Sequence, residues 1–155
     1  MPEYTFYDKR YPELLIENFN SQKTMQWVRA HLTDLRPGYA EVTLPWREEF
    51  TQHSNAVHGG VLTTIGDNAG GYAAWTLEPN DANMLAVEFK INLMNPAAGE
   101  RLRAEAKVHK AGRTLVVVGA TVTVMRRDKA VPCGEMLGTF IVLRDTSDVE
   151  QRVRT

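Results

Sequence analysis

The 155-residue sequence predicts an α+β domain in which a curved antiparallel sheet wraps around one central helix. Three observations carry this. An apolar run over residues 58–75 repeats at helical spacing, and the chain after it breaks into alternating segments separated by turn-forming residues. A hydrophobic content of 43% then gives a chain of this length enough apolar surface for one core. One long helix followed by a run of hairpins is an α+β plan, and its exposed sheet edges call for management, for which edge-to-edge pairing of two subunits is one solution.

In chain order, residues 1–26 read as an N-terminal extension packed on the body of a domain spanning 27–144, with a polar, frayed tail at 145–155. Within the extension, Leu14, Leu15, Ile16 and Phe19 can pack as one helical turn. Residues 26–35 and 39–45 read as two strands joined by the turn signal Arg36-Pro37-Gly38. Residues 46–57 are polar and irregular, a loop that delivers Gln52, His53 and Asn55 to the start of the helix. A breaker cluster at 77–83 follows the helix. Val87, Phe89, Ile91 and Leu93 then alternate with Glu88, Lys90 and Asn92, a half-buried strand. Leu102, Ala104, Ala106 and Val108 alternate in the next, and Lys110-Ala111-Gly112-Arg113 closes a hairpin onto 114–125, a β-branched strand buried on much of both faces. A charged turn at 126–129 leads to the last strand, 131–143.

The central helix carries Val61, Leu62, Ile65, Ala69, Tyr72 and Ala73 on one face. Asp67 stands outside that face, in a stripe of small residues formed by Gly60, Thr63, Thr64, Gly70, Gly71 and Ala74. Gly66, Gly70 and Gly71 each cost roughly 1 kcal/mol relative to Ala, so packing against a partner or a substrate is the expected compensation. Propensity alone also allows a short helix that ends in a turn at 67–71.

A net charge of −1 gives no global case for nucleic acid, and no segment approaches a membrane span or a signal peptide. The lone Cys133 fits a reducing compartment, so a soluble cytoplasmic protein is expected, with Cys133 a small strand residue. His31, His53, His58 and His109 lack zinc-like spacing, and no phosphate loop, dinucleotide fingerprint or nucleophile elbow is present. What remains is a helix N-terminus near an acid. Gly59 and Gly60 offer unobstructed N–H donors to a carbonyl oxygen that becomes negative, with His58 as a cap, a core residue or a participant. Asp67 lies roughly 10 Å away along a straight helix at about 1.5 Å per residue, too far to serve the same atom within one chain. A second, antiparallel subunit closes that gap.

These residues resemble a known family. Gln52, His58-Gly59-Gly60, the run from Asp67 through Ala74, Val87-Glu88-Phe89-Lys90-Ile91-Asn92, Pro96-Ala97 and Gly112-Arg113-Thr114-Leu115 are similar to the hotdog-fold acyl-CoA thioesterases of the phenylacetyl-CoA thioesterase group, relatives of 4-hydroxybenzoyl-CoA thioesterase. The resemblance runs from about residue 27 to 143. It implies hydrolysis of an acyl- or aryl-CoA thioester in a homodimer with shared sites, and a homotetramer as the higher assembly. Asp67 becomes nucleophile or general base, Gly59 the donor polarising the thioester carbonyl, and Gln52 the residue orienting water or substrate. Gly60, Asn55 and Gly71 are expected to contact substrate, and Lys110 and Arg113 to hold CoA phosphates, with Lys107, Arg101, Arg103, Arg126, Arg127 and Lys129 as nearby cations. CoA enters as part of the substrate, and no separate cofactor or metal is expected. Many members have Asn in place of Gln52, and the hydroxyl that some carry on the strand after the helix falls at Ala86. A hotdog hydratase or dehydratase using His58 and Asp67, and a non-catalytic acyl-CoA sensor, are the alternatives.

Overall fold

A computed structural model describes residues 4–6, 10–79 and 82–144, so the tail expected at 145–155 lies outside the described residues. Helix α1 (Tyr11–Ser21) has Pro in its first turn, where the missing N–H costs nothing, and buries Tyr11, Leu15 and Phe19 at successive spacings of four. Leu14 and Ile16, expected to share that buried turn, are exposed. A second helix, α2 (Lys23–Val28), overturns part of the first expected strand: Gln26, Trp27 and Val28 are helical. Arg29 stops this helix with φ 59°, the left-handed conformation that commonly ends helices, and the strand begins only at His31.

Strands β1 (His31–Arg36) and β2 (Tyr39–Pro45) form the expected hairpin. Gly38 sits in its turn at φ 72°, a conformation that favours glycine. After a short 3₁₀ turn (Glu48–Phe50) and a loop comes α3 (Gly59–Trp75), the long central helix. Its continuity through residue 75 excludes a turn at 67–71. Strands β3 (Asn83–Leu93), β4 (Arg101–Ala111), β5 (Leu115–Arg126) and β6 (Lys129–Leu143) complete a six-stranded sheet of order β1-β2-β4-β5-β6-β3, antiparallel at every pairing.

Helix α3 packs on the sheet through Leu62, Ile65, Ala69, Tyr72 and Ala73, which share one core with Val42, Leu44, Leu102, Ala104, Val116 and Val118. The compensation for the helical glycines comes largely from this chain itself. A Cβ on Gly70 would lie 2.9 Å from Phe140 Cζ, and one on Gly66 3.4 Å from Val122 Cγ2, so the missing side chains let the helix settle onto β5 and β6. Burying Leu62 and Ile65 at about 1.5–3 kcal/mol each offsets a glycine cost of roughly 1 kcal/mol per residue. The other expected departure is at β3. The strand forms where the sequence predicts, with a bulge between Ala86 and Glu88, but it is an edge strand whose burial does not alternate and which is not half-buried. Leu85, Val87, Phe89 and Leu93 are 40–58% exposed, because nothing among the described residues covers them.

Candidate active site

The loop before α3 is fixed at both ends by backbone hydrogen bonds. His58 N–H donates to Phe50 O at 2.8 Å and Val57 N–H to Ala97 O at 2.9 Å. Between them Gln52 N–H donates to Ala56 O at 2.8 Å, closing a turn in which Asn55 adopts φ 60°, a conformation that asparagine tolerates better than most residues. The Gln52 side chain is held in that turn, its Nε2 donating to Ser54 Oγ at 2.6 Å. His58 ends the loop as the helix cap: its Nδ1 accepts the Gly60 N–H at 2.9 Å. This corrects the expectation of two free glycine amides. The Gly60 donor is spent on the cap, whereas the Gly59 N–H has no partner among the described residues. Gly59 also lies close under Leu93, whose Cδ1 is 2.6 Å from where a Cβ would stand. Gln52, His53, His58, Gly59, Leu93 and Asn95 line a cavity of 610 Å³.

Asp67 lines a different cavity of 340 Å³, with Asn68, Gly71, Tyr72 and Trp75 from α3, Ala86 from β3, and Asn18 and Gln22 from the N-terminal segment. Its Oδ1 is buried without a hydrogen-bond donor, and burial raises its carboxyl above the ordinary aspartate value. Ala86 does stand in this cavity, so β3 brings no hydroxyl to the acid at that position. Across the cavity Tyr72 Oη accepts from Gln22 Nε2 at 2.8 Å and donates to Asn18 Oδ1. Burial pushes the Tyr72 hydroxyl up to about 12, so it stays protonated.

Among the described residues the two cavities share no lining residue, and Asp67 stands eight positions along the helix from Gly59, about 12 Å at 1.5 Å per residue. Of the expected site residues, Gln52, His58 and Gly59 come together at one cavity and Asp67 and Gly71 at the other. Gly60 lines a third, of 350 Å³, shared with Trp27, Phe50 and Thr64, and Asn55 lines none of the three. Lys110 and Arg113 flank the β4–β5 turn, beyond the C-terminal end of α3, where the Arg113 carbonyl accepts from Arg144 Nη1 at 2.6 Å. They line neither main cavity. Two of the accompanying cations are engaged: Arg103 pairs with Glu105 at 3.0 Å, and Arg126 Nε donates to Ala98 O at 2.7 Å. Asn18, Gln22, Tyr72 and Asn83 were not among the expected site residues, although the spacing of Tyr11, Leu15 and Phe19 signals the helix that carries Asn18.

Comparison with known proteins agrees with this architecture. The profile of the thioesterase superfamily matches residues 54–130, which include the cap, the Gly59 amide and Asp67. A thioesterase family protein from Silicibacter pomeroyi is 37% identical and superposes with a TM-score of 0.84 over 86% of this chain and 98% of that one. A Saccharolobus solfataricus protein provisionally named an esterase is 33% identical over 99 residues, 63% of this chain and 69% of the relative. The E. coli PaaI protein from the phenylacetic acid degradation operon shares 16% identity and a TM-score of 0.77, over 85% of this chain and 92% of that one, which is a likeness of fold. The six-stranded antiparallel sheet around one long helix is the hotdog fold, and the chain belongs to the thioesterase superfamily, a membership that supports thioester hydrolysis.

Proposed function

We propose that the protein hydrolyses an acyl- or aryl-CoA thioester at a site shared by two copies of the chain, with Asp67 from one copy and the Gly59 amide from the other. The observation that carries this is the pairing of an uncommitted carboxylate with an uncommitted helix-terminal donor at two separate cavities of one chain. An antiparallel second copy of α3 brings the two half-sites to the same carbonyl. The uncovered apolar side chains of the β3 edge, Leu85, Val87, Phe89 and Leu93, are the surface such a copy would cover.

In the proposed reaction water attacks the thioester carbonyl carbon while Asp67 accepts its proton, and the carbonyl electrons move onto oxygen. The Gly59 N–H, at the positive end of the α3 dipole, hydrogen-bonds that oxyanion. Collapse of the tetrahedral intermediate breaks the carbon–sulfur bond, and the thiolate leaves with the proton held by Asp67. Direct attack by Asp67, forming an anhydride that water cleaves, uses the same atoms. The raised proton affinity of the buried carboxyl favours the base, since a base works best when its pKa approaches the working pH. Gln52, tied to Ser54 through its amide nitrogen, keeps Oε1 to orient the water or the substrate. His58 spends Nδ1 on the helix cap, which supports a capping role over the proton transfers of a hydratase.

The deciding experiment offers the purified chain a panel of aryl- and medium-chain acyl-CoA thioesters and follows free thiol, with product analysis of an enoyl-CoA alongside. Release of CoA is the expected result. Interconversion of enoyl- and 3-hydroxyacyl-CoA with the thioester intact would identify a hydratase, and tight binding without turnover a sensor.

A further inference from the structure

We propose that the N-terminal segment gives the Asp67 cavity a neutral, hydrogen-bonding end wall, which selects acyl groups bearing an uncharged oxygen substituent over plain alkyl groups and over groups ending in a carboxylate. The proposal rests on the thioester reading above and concerns only which acyl group that site prefers.

Asp67, Gly71 and Trp75 are spaced four apart, so the cavity floor runs along one face of α3. Gly71 leaves that floor open, with only the Phe140 ring in ordinary contact at 3.5 Å from where a Cβ would stand. Tyr72 lies five residues beyond Asp67, about 7.5 Å further along the helix, so its hydroxyl belongs to the far end of an acyl group whose carbonyl is held at the acid. There the hydrogen bonds are only partly used. Gln22 gives an N–H to Tyr72 Oη, and Tyr72 gives its proton to Asn18 Oδ1. Asn83 spends its Oδ1 on the Met84 N–H at 2.9 Å. Asn18 Nδ2, Gln22 Oε1 and Asn83 Nδ2 have no partner among the described residues, and all three side chains line the cavity.

Two amide donors and one acceptor at the end of a cavity fit a hydroxyl or carbonyl oxygen. An alkyl chain pushed against them would strip their water without replacing it, a loss worth about tenfold or more in specificity. Among the described residues no Lys, Arg or His lines the cavity and its one carboxylate is Asp67, so a carboxylate guest finds like charge without a counter-ion. Packing fixes the wall: the Phe19 ring meets Tyr72 edge-on at 5.3 Å, and Tyr11 Oη donates to Pro79 O at 3.1 Å.

The test measures kcat/KM of the full chain on hexanoyl-CoA, its terminal hydroxyl derivative and the matching dicarboxylic monothioester, and on phenylacetyl-CoA and its para-hydroxy derivative. In at least one pair the hydroxylated substrate should be favoured about tenfold, with the carboxylate the poorest. In an Asn18→Leu, Gln22→Leu double variant that ratio should fall to near one. A separate Gln22→Lys variant places a cation in the wall and should raise the rate on the carboxylate substrate relative to hexanoyl-CoA at least severalfold. Ratios within about twofold in the wild type, a hydroxyl preference that survives the double variant, or no response to Gln22→Lys would each overturn the proposal. No cleavage of any substrate would instead remove the thioester reading, and this inference with it.

Discussion

Asp67→Asn is the substitution in which chemistry and stability should move in opposite directions. Asparagine keeps the volume, so the helix and its packing survive, but it cannot accept the proton of an attacking water. Losing a positioned base costs roughly 100- to 10,000-fold in rate, or about 2.7–5.5 kcal/mol of barrier. The folded protein should gain. Asp67 Oδ1 is buried without a donor, and burial raises the carboxyl above its unfolded value. A group raised in this way holds its full contribution to stability below the unfolded pKa and loses it as pH rises through the folded one. At pH 8 the wild type therefore carries a partly desolvated charge, with one oxygen buried, that the amide lacks. The amide leaves a polar atom in the same place but removes its charge, a relief worth on the order of 1 kcal/mol, or about 2–4 °C in Tm for a chain of this length. The gain should shrink below pH 4, where both side chains are neutral. Thiol release at saturating substrate reads the first effect, and thermal melts at pH 4 and pH 8 the second. Unchanged turnover would remove Asp67 from the mechanism, and a variant that melts below the wild type at pH 8 would refute the account of its burial. In the active enzyme, kcat/KM should rise with pH through the raised Asp67 value and then level.

Three further perturbations probe the remaining parts. Gly59→Pro deletes the unpartnered amide at the first helical position, where proline is well tolerated, and His58 already holds the extended φ −61°, ψ 137° that a following proline requires. It should fold once the exposed Leu93 side chain shifts from the added Cβ, yet lose about 100- to 1,000-fold in kcat, a loss that Gly59→Ala, with the same Cβ and the amide kept, should not show; full activity of the proline variant would exclude the amide as the oxyanion donor. Lys110→Ala and Arg113→Ala should raise KM for CoA thioesters, less so at high salt, while sparing a short pantetheine thioester. Equal losses on both substrates would assign these cations to folding or to the acyl site. Light scattering should find at least a dimer, and Val87→Lys on the exposed β3 edge should reduce assembly and activity together. An active monomer would refute the shared site.

How much of this was legible in the residues depended on whether the deciding neighbour lies near in sequence. The central helix was readable because its apolar spacing, from Leu62 to Ala73, outweighs three glycines, and its cap because His58 precedes two of the smallest residues. Helix α2 was not, because Trp27 and Val28 favour strands locally and the stop comes from a left-handed Arg29, which no composition rule marks. The alternation in β3 was visible, but its burial was not, since burial depends on what covers the face. The glycine stripe pointed to close approach without naming the neighbour, and Phe140, seventy residues after Gly70, supplies it. Asp67 and Gly59 were legible as chemistry. Asn18 and Gln22 were not, because only the folded chain brings them to Tyr72.

The position of β3 in the sheet also sets a timetable. Among the described residues its one strand partner is β6, so Leu93 leaves the ribosome 50 residues before the partner strand ends at Leu143. At synthesis rates of about 5–20 residues per second, that gap is roughly 2.5–10 s. Throughout it Leu85, Val87, Phe89 and Ile91 are extended apolar chain without a ladder, the composition on which nascent proteins associate wrongly. Glu88, Lys90 and Asn92, interleaved between them, act as gatekeepers for that interval. The polar half of β3 thus protects the unfinished chain, and a substitution there that leaves the finished fold untouched can still lower the yield of folded protein.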